Sequence, residues 1–394
     1  ESMAAGMMAA GVEVLDLETT VTPVARFMTG NLQVAGGVHI KRTSERGEAV
    51  RINFFNSQGG NISKADERKI ENLLAREDIR RMEPDKIREA LLIPRAGEQY
   101  LSFLFSQIDG EAAPMRPLHV ITNALPASLA ALAPPLLERL GCLVEYVFMP
   151  EPAECPPAGL GSRFSLLAGA VVDRGADLGF YLGPSGEQLV LIDDQGRLIA
   201  EDRLLALISL LILRTMPEGK LVIPVTASSV IDKLAARHRG QVIRTKTALQ
   251  SLMDYCLQGG LEGDSYQQFL MNFDALYALG RILSYLGGQG LKLSQLLEEI
   301  PDFHLIKEAV ECPWEAKGKV IRSLIEEHKN DRVELLDGIK VFYDKGWTLV
   351  LPDSEEPLCR VYSEGYSMEI AQELSAQLIE KINHILTPAG SSRE

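Results

Sequence analysis

Short apolar runs alternate with amphipathic stretches along the first part of the chain. Runs bounded by glycine, proline or polar residues predict strands over residues 12–15, 37–40 and 50–55. Thr22-Pro23 predicts the start of a helix, because proline is favoured at the first helical position. Ser63 predicts the N-cap of a helix over residues 64–74, and the polar residues 41–49 predict a loop.

The same alternation continues to about residue 300. It predicts further strands over residues 118–121, 143–147, 177–181, 188–193, 220–224 and 241–244. It predicts further helices over residues 125–140, 203–213, 229–238, 273–286 and 294–299. Strands alternating with helices are typical of α/β domains.

The last segment has a different pattern, with strands next to one another between two helices. The predicted helices cover residues 317–328 and 367–385, and the strands cover residues 339–342, 347–351 and 359–362. The chain is too long for a single core. We therefore predict an α/β protein with three related domains that contain mixed sheets, followed by a C-terminal α+β domain. The predicted boundaries are residues 1–110, 111–215, 216–310 and 311–394.

Charge and cysteine content narrow the range of functions. The formal net charge of −14 over 394 residues disfavours binding to nucleic acid or to an anionic membrane surface. The longest apolar stretch, residues 204–213, is too short to cross a bilayer. Five scattered cysteines without a CxxC pair indicate a reduced, cytoplasmic setting and no zinc site.

Three sequence blocks resemble motifs of one enzyme family. They are GVHIKRTSER…NFFNSQGG within residues 37–60, GADLGF at residues 175–180, and DGIKV…GWTLVLPDSEEPLCRVYSEG within residues 337–365. In this order and spacing they are similar to the phosphohexomutases, which include phosphomannomutase and phosphoglucomutase. The resemblance implies the four-domain phosphohexomutase architecture. The first strand and hairpin of the first domain are expected to be missing, because the chain opens inside a helical pattern.

Phosphohexomutases transfer a phosphoryl group between an enzyme serine and a sugar phosphate, with magnesium offsetting the developing charge. The resemblance places Thr43 in the nucleophile slot and Ser44 in the slot that follows. Both hydroxyls are also typical of a solvated loop. The family's metal loop, D-G-D-x-D-R, corresponds to residues 183–188, so Gly183, Ser185 and Glu187 occupy the ligand slots.

The substitutions at these slots argue against magnesium, which prefers carboxylate oxygens. Only Glu187 keeps a carboxylate, and the glycines and proline around it favour a plain tight turn. We therefore expect no cofactor, or magnesium only if the chain is an active mutase. Asp193 and Asp194 follow in the next strand and are expected to be structural.

The family's phosphate loop, R-P-S-[GN]-T-E-P, is altered as well. Leu351 replaces the arginine, and Asp353, Ser354 and Glu355 occupy the positions that follow Pro352. The added carboxylates are expected to repel a phosphate dianion. Arg360 on the next strand is expected to anchor structure. In the sugar-recognition loop, Glu262 is expected to be a remnant of the family glutamate or part of a flexible turn.

These substitutions predict a catalytically impaired module. The run of residues 312–319, CPWEAKGK, resembles the mutase-like C-terminal region of bacterial sugar-phosphate nucleotidyltransferases. The first hypothesis is therefore a regulatory or scaffolding module whose partner is an N-terminal nucleotidyltransferase domain, with possible homo-oligomers. One alternative is an active phosphohexomutase that uses Thr43 or Ser44. Another is a non-catalytic module that senses a sugar phosphate or another metabolite.

Overall fold

The computed structural model describes residues 1–43, 49–77, 81–108, 116–148, 163–216 and 219–387. The chain divides into two compact units. The first comprises Glu1–Leu211 and Met253–Glu298, and the second comprises Ile212–Leu252 and Glu299–Glu394. The predicted α/β fold class is confirmed. The division into four domains stays a prediction.

The first unit begins with two small sheets and four α-helices. In chain order the elements are α1 (Ser2–Ala9), β1 (Val14–Asp16), α2 (Thr22–Asn31), β2 (Gly36–Thr43), β3 (Ala49–Asn56), α3 (Lys64–Ala75), a 3-10 turn (Pro84–Lys86), β4 (Ala90–Leu92) and α4 (Ala96–Ile108). β1 pairs with β4 in parallel, and β2 pairs with β3 antiparallel, with Gly37 opposite Phe55. Ser63 caps α3 as predicted, because its hydroxyl accepts a hydrogen bond from the Asp66 amide (3.0 Å).

A five-stranded mixed sheet follows in the same unit. Its elements are β5 (His119–Asn123), α5 (Ala133–Arg139), β6 (Leu143–Val147), α6 (Ser165–Asp173), β7 (Leu178–Leu182), β8 (Leu189–Asp193) and β9 (Leu198–Ile199), and α7 (Glu201–Thr215) comes next. The strand order is β6-β5-β7-β8-β9. Every residue of β7 and β8 is buried, as expected for strands covered on both faces.

Four helices complete the first unit and lead into and out of the second: α9 (Leu249–Leu257), α10 (Gly263–Phe273), α11 (Ala275–Gln289) and α12 (Leu293–Leu297). Asp274 caps α11 by accepting a hydrogen bond from the Tyr277 amide (3.0 Å). The Tyr100 hydroxyl donates to the same carboxylate at 2.7 Å. Burial raises the pKa of Asp274 to about 6, against the lowering effect of these hydrogen bonds.

The second unit combines a parallel strand pair with an antiparallel sheet. The pair is β10 (Lys220–Pro224) with β11 (Gln241–Thr245), connected by α8 (Val230–Arg237). The sheet has the order β12-β16-β15-β14-β13, built from β12 (His304–Glu311), β13 (Val333–Glu334), β14 (Ile339–Tyr343), β15 (Gly346–Pro352) and β16 (Leu358–Gly365). Helices α13 (Trp314–Glu327) and α14 (Met368–Leu386) pack on this sheet around a core that includes Val320, Leu324 and Ile382.

The structure corrects several predicted elements. The helix predicted over residues 125–140 is confined to Ala133–Arg139. The loop predicted over residues 41–49 is shorter, because β2 continues through Thr43 and β3 begins at Ala49. Strand β12 and helix α4 were not predicted. Among the described residues, no helix has the length and apolar character needed to cross a membrane.

The contact between Tyr100 and Asp274 predicts a pH-dependent loss of stability. Removing the hydroxyl in Tyr100→Phe leaves a buried carboxylate with one donor fewer, so we expect a loss of about 1–3 kcal/mol at pH 7.5. The raised pKa means that Asp274 itself favours folding fully at low pH, and that this contribution is lost as the pH rises through about 6. The loss caused by Tyr100→Phe should therefore be smaller at pH 5 than at pH 7.5.

Urea unfolding of both proteins at the two pH values measures this difference. Tyr146→Phe is the matched control, because Tyr146 is half exposed and should change stability by less than about 0.5 kcal/mol. An equal loss at both pH values would contradict the proposed titration of Asp274.

Candidate functional site

The turn between β7 and β8 lies against the start of α2, and backbone hydrogen bonds fix its position. The Gly186 amide donates to the Gly183 carbonyl (2.9 Å), which closes the tight turn that the sequence predicted. The carbonyl of Ser185 accepts from the Thr22 amide (3.0 Å) at the first residue of α2. Gly186 has φ +76°, and a Cβ there would lie 3.1 Å from Val21 and Pro23, so a larger residue does not fit easily.

This turn brings Glu187 between two cations from distant parts of the sequence. Lys41 on β2 forms a short ion pair with one carboxylate oxygen, and Nη2 of Arg26 on α2 lies 3.4 Å from the other. The side chains of Arg26, Lys41 and Glu187 are 5%, 20% and 24% exposed. Burial raises the pKa of Glu187, but the two cations outweigh it, so the net pKa lies below the usual value.

Arg26 also fixes the turn after β3. Its Nη1 donates to the Gly59 carbonyl (2.8 Å), and its Nη2 donates to Asn61 Oδ1 (2.9 Å). The guanidinium lies 4.5 Å from the centre of the Phe55 ring, within range of a cation–π contact. Gly59 has φ +80°, and a Cβ there would lie 2.4 Å from the Arg26 carbonyl, so glycine is required. One sequence signal for this role is an arginine on the mostly apolar helix TPVARFMTG.

The residues in the three predicted metal slots do not fit magnesium. Gly183 has no side chain, Ser185 uses its carbonyl to hold α2, and Glu187 is already neutralised by two cations. Across the described ranges of the chain, no group of three or more histidine, cysteine, aspartate or glutamate side chains is arranged to hold a metal ion. A dication here would meet Lys41 and Arg26, which carry the same sign of charge.

The predicted nucleophiles are only partly placed. The backbone of Thr43 ends β2, opposite Ala49 and two residues after Lys41. The side chain of Thr43 and the whole of Ser44 lie outside the described residues. The structure therefore brings the metal loop to the strand that leads to the nucleophile slots, and leaves the hydroxyls themselves unplaced.

In the predicted phosphate loop of the second unit, the donors of the loop bind the carboxylate of Asp353. Asp353 Oδ1 accepts hydrogen bonds from the amides of Glu355 (2.7 Å) and Glu356 (2.9 Å), and Oδ2 accepts from Arg360 Nε (2.6 Å). Burial raises the pKa of Asp353, but these donors outweigh it and the net pKa is lowered. Asp353 thus takes the donors that an external anion would need, and Arg360 anchors the loop as expected.

Lys317, at the start of α13, holds the same loop from its other side. Its ammonium donates to the carbonyls of Asp353 and Glu356, both at 2.6 Å, and lies 3.5 Å from the centre of the Trp314 ring. Lys317 belongs to the CPWEAKGK run, and its position gives that run a local structural role. Leu351 lies opposite Arg360 in the sheet, while Ser354 and Glu355 are exposed.

The remaining predicted polar residues have separate positions. Asp193 is fully buried and binds Arg197 and the amides of its own turn, and Asp194 accepts from the Ser294 amide, so both are structural as expected. Glu262 is exposed and directly precedes α10, which begins at Gly263.

Comparison with known proteins agrees with this geometry. The first domain of the phosphohexomutases, described as "Phosphoglucomutase/phosphomannomutase, alpha/beta/alpha domain I", matches residues 1–81. A phosphoglucomutase/phosphomannomutase of Thermococcus kodakarensis is 27% identical over 97% of this chain and 86% of its own length. A probable phosphoglucosamine mutase of Methanopyrus kandleri is 28% identical over 95% of this chain and 85% of its own length. The chain is therefore similar to the phosphohexomutases, through the family model over residues 1–81 and through these relatives along almost its whole length.

Solved structures support the same fold. A phosphoglucomutase/phosphomannomutase family protein of Burkholderia thailandensis superposes with a TM-score of 0.79 at 19% identity, covering 100% of this chain and 86% of its own. An N-acetylphosphoglucosamine mutase of Aspergillus fumigatus, solved with GlcNAc-6P and magnesium, has a TM-score of 0.60 at 12% identity, covering 98% of this chain and 94% of its own.

These relatives overturn the first functional hypothesis. They match this chain along almost its whole length and are named as mutases, which contradicts the hypothesis of a nucleotidyltransferase C-terminal region. The CPWEAKGK run was a misleading signal for that class of protein. Nor do the relatives support the predicted loss of activity.

The ion pairs of Glu187 predict that its removal destabilises the first unit. In Glu187→Gln the largely buried Arg26 loses its counter-ion, so we expect a loss of about 2–3 kcal/mol at pH 7, reduced from a fully buried pair by the partial exposure of Glu187. Because its folded pKa is lowered, Glu187 stabilises the protein above its ordinary pKa of 4.5, and the effect is lost as the pH falls through the folded pKa.

Urea unfolding between pH 3 and pH 7 tests this, with Glu138→Gln as the control at an exposed glutamate on α5. The difference between the wild type and Glu187→Gln should shrink towards pH 3. A difference that does not depend on pH would count against the ion pair as its cause.

Because Asp353 occupies the donors of the phosphate loop, we predict that removing its carboxylate increases anion binding. Asp353→Ser releases two amides and the guanidinium of Arg360, so we expect inorganic phosphate to bind at least about tenfold more tightly than to the wild type. Phosphorus NMR titration measures this. Glu355→Gln removes the same charge nearby without releasing the amides, and equal binding by both variants would show that the effect is only one of net charge.

Proposed function

We propose that this chain is a phosphohexomutase that moves a phosphoryl group between two hydroxyls of a hexose or hexosamine phosphate. The observation that carries the proposal is the match to curated mutases over 95–97% of the chain. The arrangement around Glu187 supports it, because the metal loop of the family still meets the strand that ends at the nucleophile slot.

In the proposed reaction, the hydroxyl of Thr43 or Ser44 attacks the phosphorus of the bound sugar phosphate. The bond between phosphorus and the sugar oxygen breaks as the bond to the protein oxygen forms, and the reverse transfer to the other sugar hydroxyl regenerates the protein. The proton of the protein hydroxyl passes to the released sugar oxygen in the first transfer, and the proton of the other sugar hydroxyl passes to the protein oxygen in the second. The net reaction is therefore an isomerisation and needs no other co-reactant. Such transfers depend mainly on positioning and on stabilising charge at the phosphoryl oxygens.

Lys41 is the residue best placed to supply positive charge in this reaction. Lys41 lies two residues before Thr43 on β2. Its ammonium pairs with the carboxylate of Glu187, which also neutralises Arg26. The three side chains therefore carry a net charge of about +1, which would attract the developing negative charge. A bound dication has no such place in this cluster, so we propose that turnover is independent of magnesium.

An assay of the full chain tests this function. Glucosamine 6-phosphate, glucose 1-phosphate and mannose 1-phosphate, each with a hexose bisphosphate, would be followed by phosphorus NMR with and without EDTA. We expect turnover of at least one substrate and a rate that changes little on removing magnesium. Changing both Thr43 and Ser44 to alanine should abolish turnover, and Lys41→Ala should lower the rate by about 10²–10³-fold.

Lys69→Ala is the matched control, because Lys69 is exposed on α3 and should leave the rate unchanged. The proposal would be wrong if the chain shows no turnover while an active family member, as positive control, does. It would also be wrong if turnover survives the double change at Thr43 and Ser44.

A second candidate function is binding of a sugar phosphate without turnover. It is favoured by the phosphate loop, where Asp353 already satisfies the donors that a reacting substrate would use. Thermal stabilisation by one of the three sugar phosphates, without any isomerised product, would support this second function over the first.

A further inference from the structure

Strand β12 forms one edge of the five-stranded sheet in the second unit. It pairs antiparallel with β16 along its whole length, from His304 opposite Gly365 to Glu311 opposite Leu358. Among the described residues, no strand pairs with its other side. At its centre, residues 307–309 are exposed. A long edge strand whose middle is exposed is open to pairing with another peptide.

Backbone hydrogen bonds show which groups of β12 face the open side. The amide of Cys312, which directly follows β12, donates to the Pro357 carbonyl on the β16 side at 2.9 Å. These directions alternate along an antiparallel strand, so the amides at even-numbered positions point to β16. The amides and carbonyls of Leu305, Ala309 and Glu311 therefore point away from β16. They are positioned to form the hydrogen-bond ladder of one more strand.

A groove of about 540 Å³ lies beside this edge, along helix α14. Glu308 lines it from β12, and the lining residues from α14 are Gln372, Ala376, Ile379, Glu380 and Asn383. The spacing of these α14 residues places them on one face of the helix. Side chains of neighbouring strands share their faces, so a strand beside β12 would direct every second side chain towards this groove.

The groove contains two carboxylates, and none of its described lining residues is cationic. The hydroxyl of the buried Ser375 donates a short hydrogen bond to Glu308 Oε2, so this carboxylate is held in place. Glu380 is exposed and has no hydrogen-bond or ion-pair partner among the described residues. Two carboxylates that line one groove repel each other, and a cation between them offsets that repulsion.

The apolar part of the groove suits the stem of a lysine or arginine side chain. Ile379 is partly buried against the core of the sheet, and Ala376 is exposed one turn before it on α14. Lysine and arginine cover apolar surface with their methylene groups while the charged end stays with polar groups. Ile379 and Ala376 can therefore contact the methylenes while Glu308 and Glu380 pair with the charge.

Charge decides which kind of strand fits this edge. The chain has a formal net charge of −14, so a second copy would bring further carboxylates to a groove that already holds two. Like charges directly opposite each other on two strands are destabilising, whereas an opposite pair contributes favourably. A basic strand is therefore favoured over a second copy of this chain.

We propose that the edge of β12 and this groove form a docking site for an extended basic segment of a partner protein. The segment pairs antiparallel with β12, because every neighbouring pair in this sheet is antiparallel. It carries lysine or arginine at every second position, with one of them opposite Glu308. That pair is not hydrogen-bonded through the backbone, so its side chains lie close together. The inference does not depend on the proposed reaction.

A synthetic peptide with alternating lysines tests the backbone pairing. Its sequence is acetyl-Thr-Lys-Thr-Lys-Thr-Lys-Thr-amide, so neither end is charged. With the central lysine opposite Glu308, the threonine amides face β12 and the lysine amides face solvent. Methylation of the backbone nitrogen at two threonines therefore removes hydrogen bonds to β12. The same methylation at two lysines leaves those hydrogen bonds intact and is the matched control.

NMR titration of the isotope-labelled full chain at low salt is the readout. We expect a Kd below about 1 mM, with the largest shifts at the amides of Leu305, Ala309 and Glu311. Methylation at the threonines should weaken binding at least about tenfold, and methylation at the lysines by less than about twofold. Equal weakening by the two methylations, or no binding up to about 5 mM peptide, would overturn the proposal.

Changes to the two carboxylates test the charge pairing. The double variant Glu308→Gln with Glu380→Gln should bind the peptide at least about fivefold more weakly than the wild type. The control is Glu315→Gln with Glu355→Gln, which makes the same change in charge at two exposed positions outside the groove. Equal binding by the two double variants would mean that only net charge matters, and would contradict the proposed site.

Self-association of the chain is the competing outcome. Ala309→Pro removes an amide that faces away from β16, so β12 keeps its hydrogen bonds to β16. This variant should bind the peptide at least about fivefold more weakly and unfold within a few degrees of the wild type. A wild-type dimer in sedimentation that Ala309→Pro dissociates would mean that a second copy covers the edge, and the proposal of a basic partner would fail.

Discussion

The buried positive charge of Arg26 is the interaction on which the rest of the first unit depends. Arginine stays protonated in proteins, so its burial requires a counter-ion and several acceptors. Glu187 provides the charge, and Gly59 and Asn61 provide oxygen atoms, which ties α2 to the turn after β3 and to the turn before β8. Three segments that are far apart in the sequence are therefore held by a single side chain.

This interaction gives the carboxylate of Glu187 a role that needs no metal ion. Glu187 neutralises Arg26 and Lys41, so its side chain is needed for packing whether or not a metal binds. The same logic applies to Asp353, whose carboxylate satisfies two amides and Arg360 within its own loop. In both loops a carboxylate is thus neutralised by cationic side chains of this chain.

These ion-paired carboxylates affect how a sugar phosphate could bind in the proposed reaction. A substrate phosphate that uses the 353–358 loop must displace Asp353, and the displaced carboxylate must then find water or another donor. Lys41 also pairs with a carboxylate, but it shares Glu187 with Arg26, so the cluster keeps a net positive charge on the strand that leads to the nucleophile slots. In the proposed reaction, the first unit therefore already offers positive charge to the phosphoryl group. The phosphate loop must first release Asp353 before it can bind a phosphate.

Local signals in the sequence were sufficient for many elements. Ser63 and Thr22-Pro23 mark helix starts, and the residues around Gly186 form the predicted turn. The helix predicted from residue 125 fails because Pro134 and Pro135 lie in its first turn, where proline is tolerated, whereas a longer helix would place them in its interior.

Long-range partners were beyond the reach of the sequence pattern. Strand β12 has three exposed residues in a row at its centre, and its register is set by β16, more than 45 residues later. The pairing of Lys41 with Glu187 spans 146 positions and has no local signature. The hydrogen bonds of Lys317 in the CPWEAKGK run are likewise long-range, since they reach carbonyls 36 and 39 residues away.

The two small sheets of the first unit pose a problem of stability that the two five-stranded sheets do not. A two-stranded sheet is marginal in water, and β1 has only three residues with which to hold β4. Helices α2 and α4 pack together beside these sheets, so the helices can hold the strands in place without joining them.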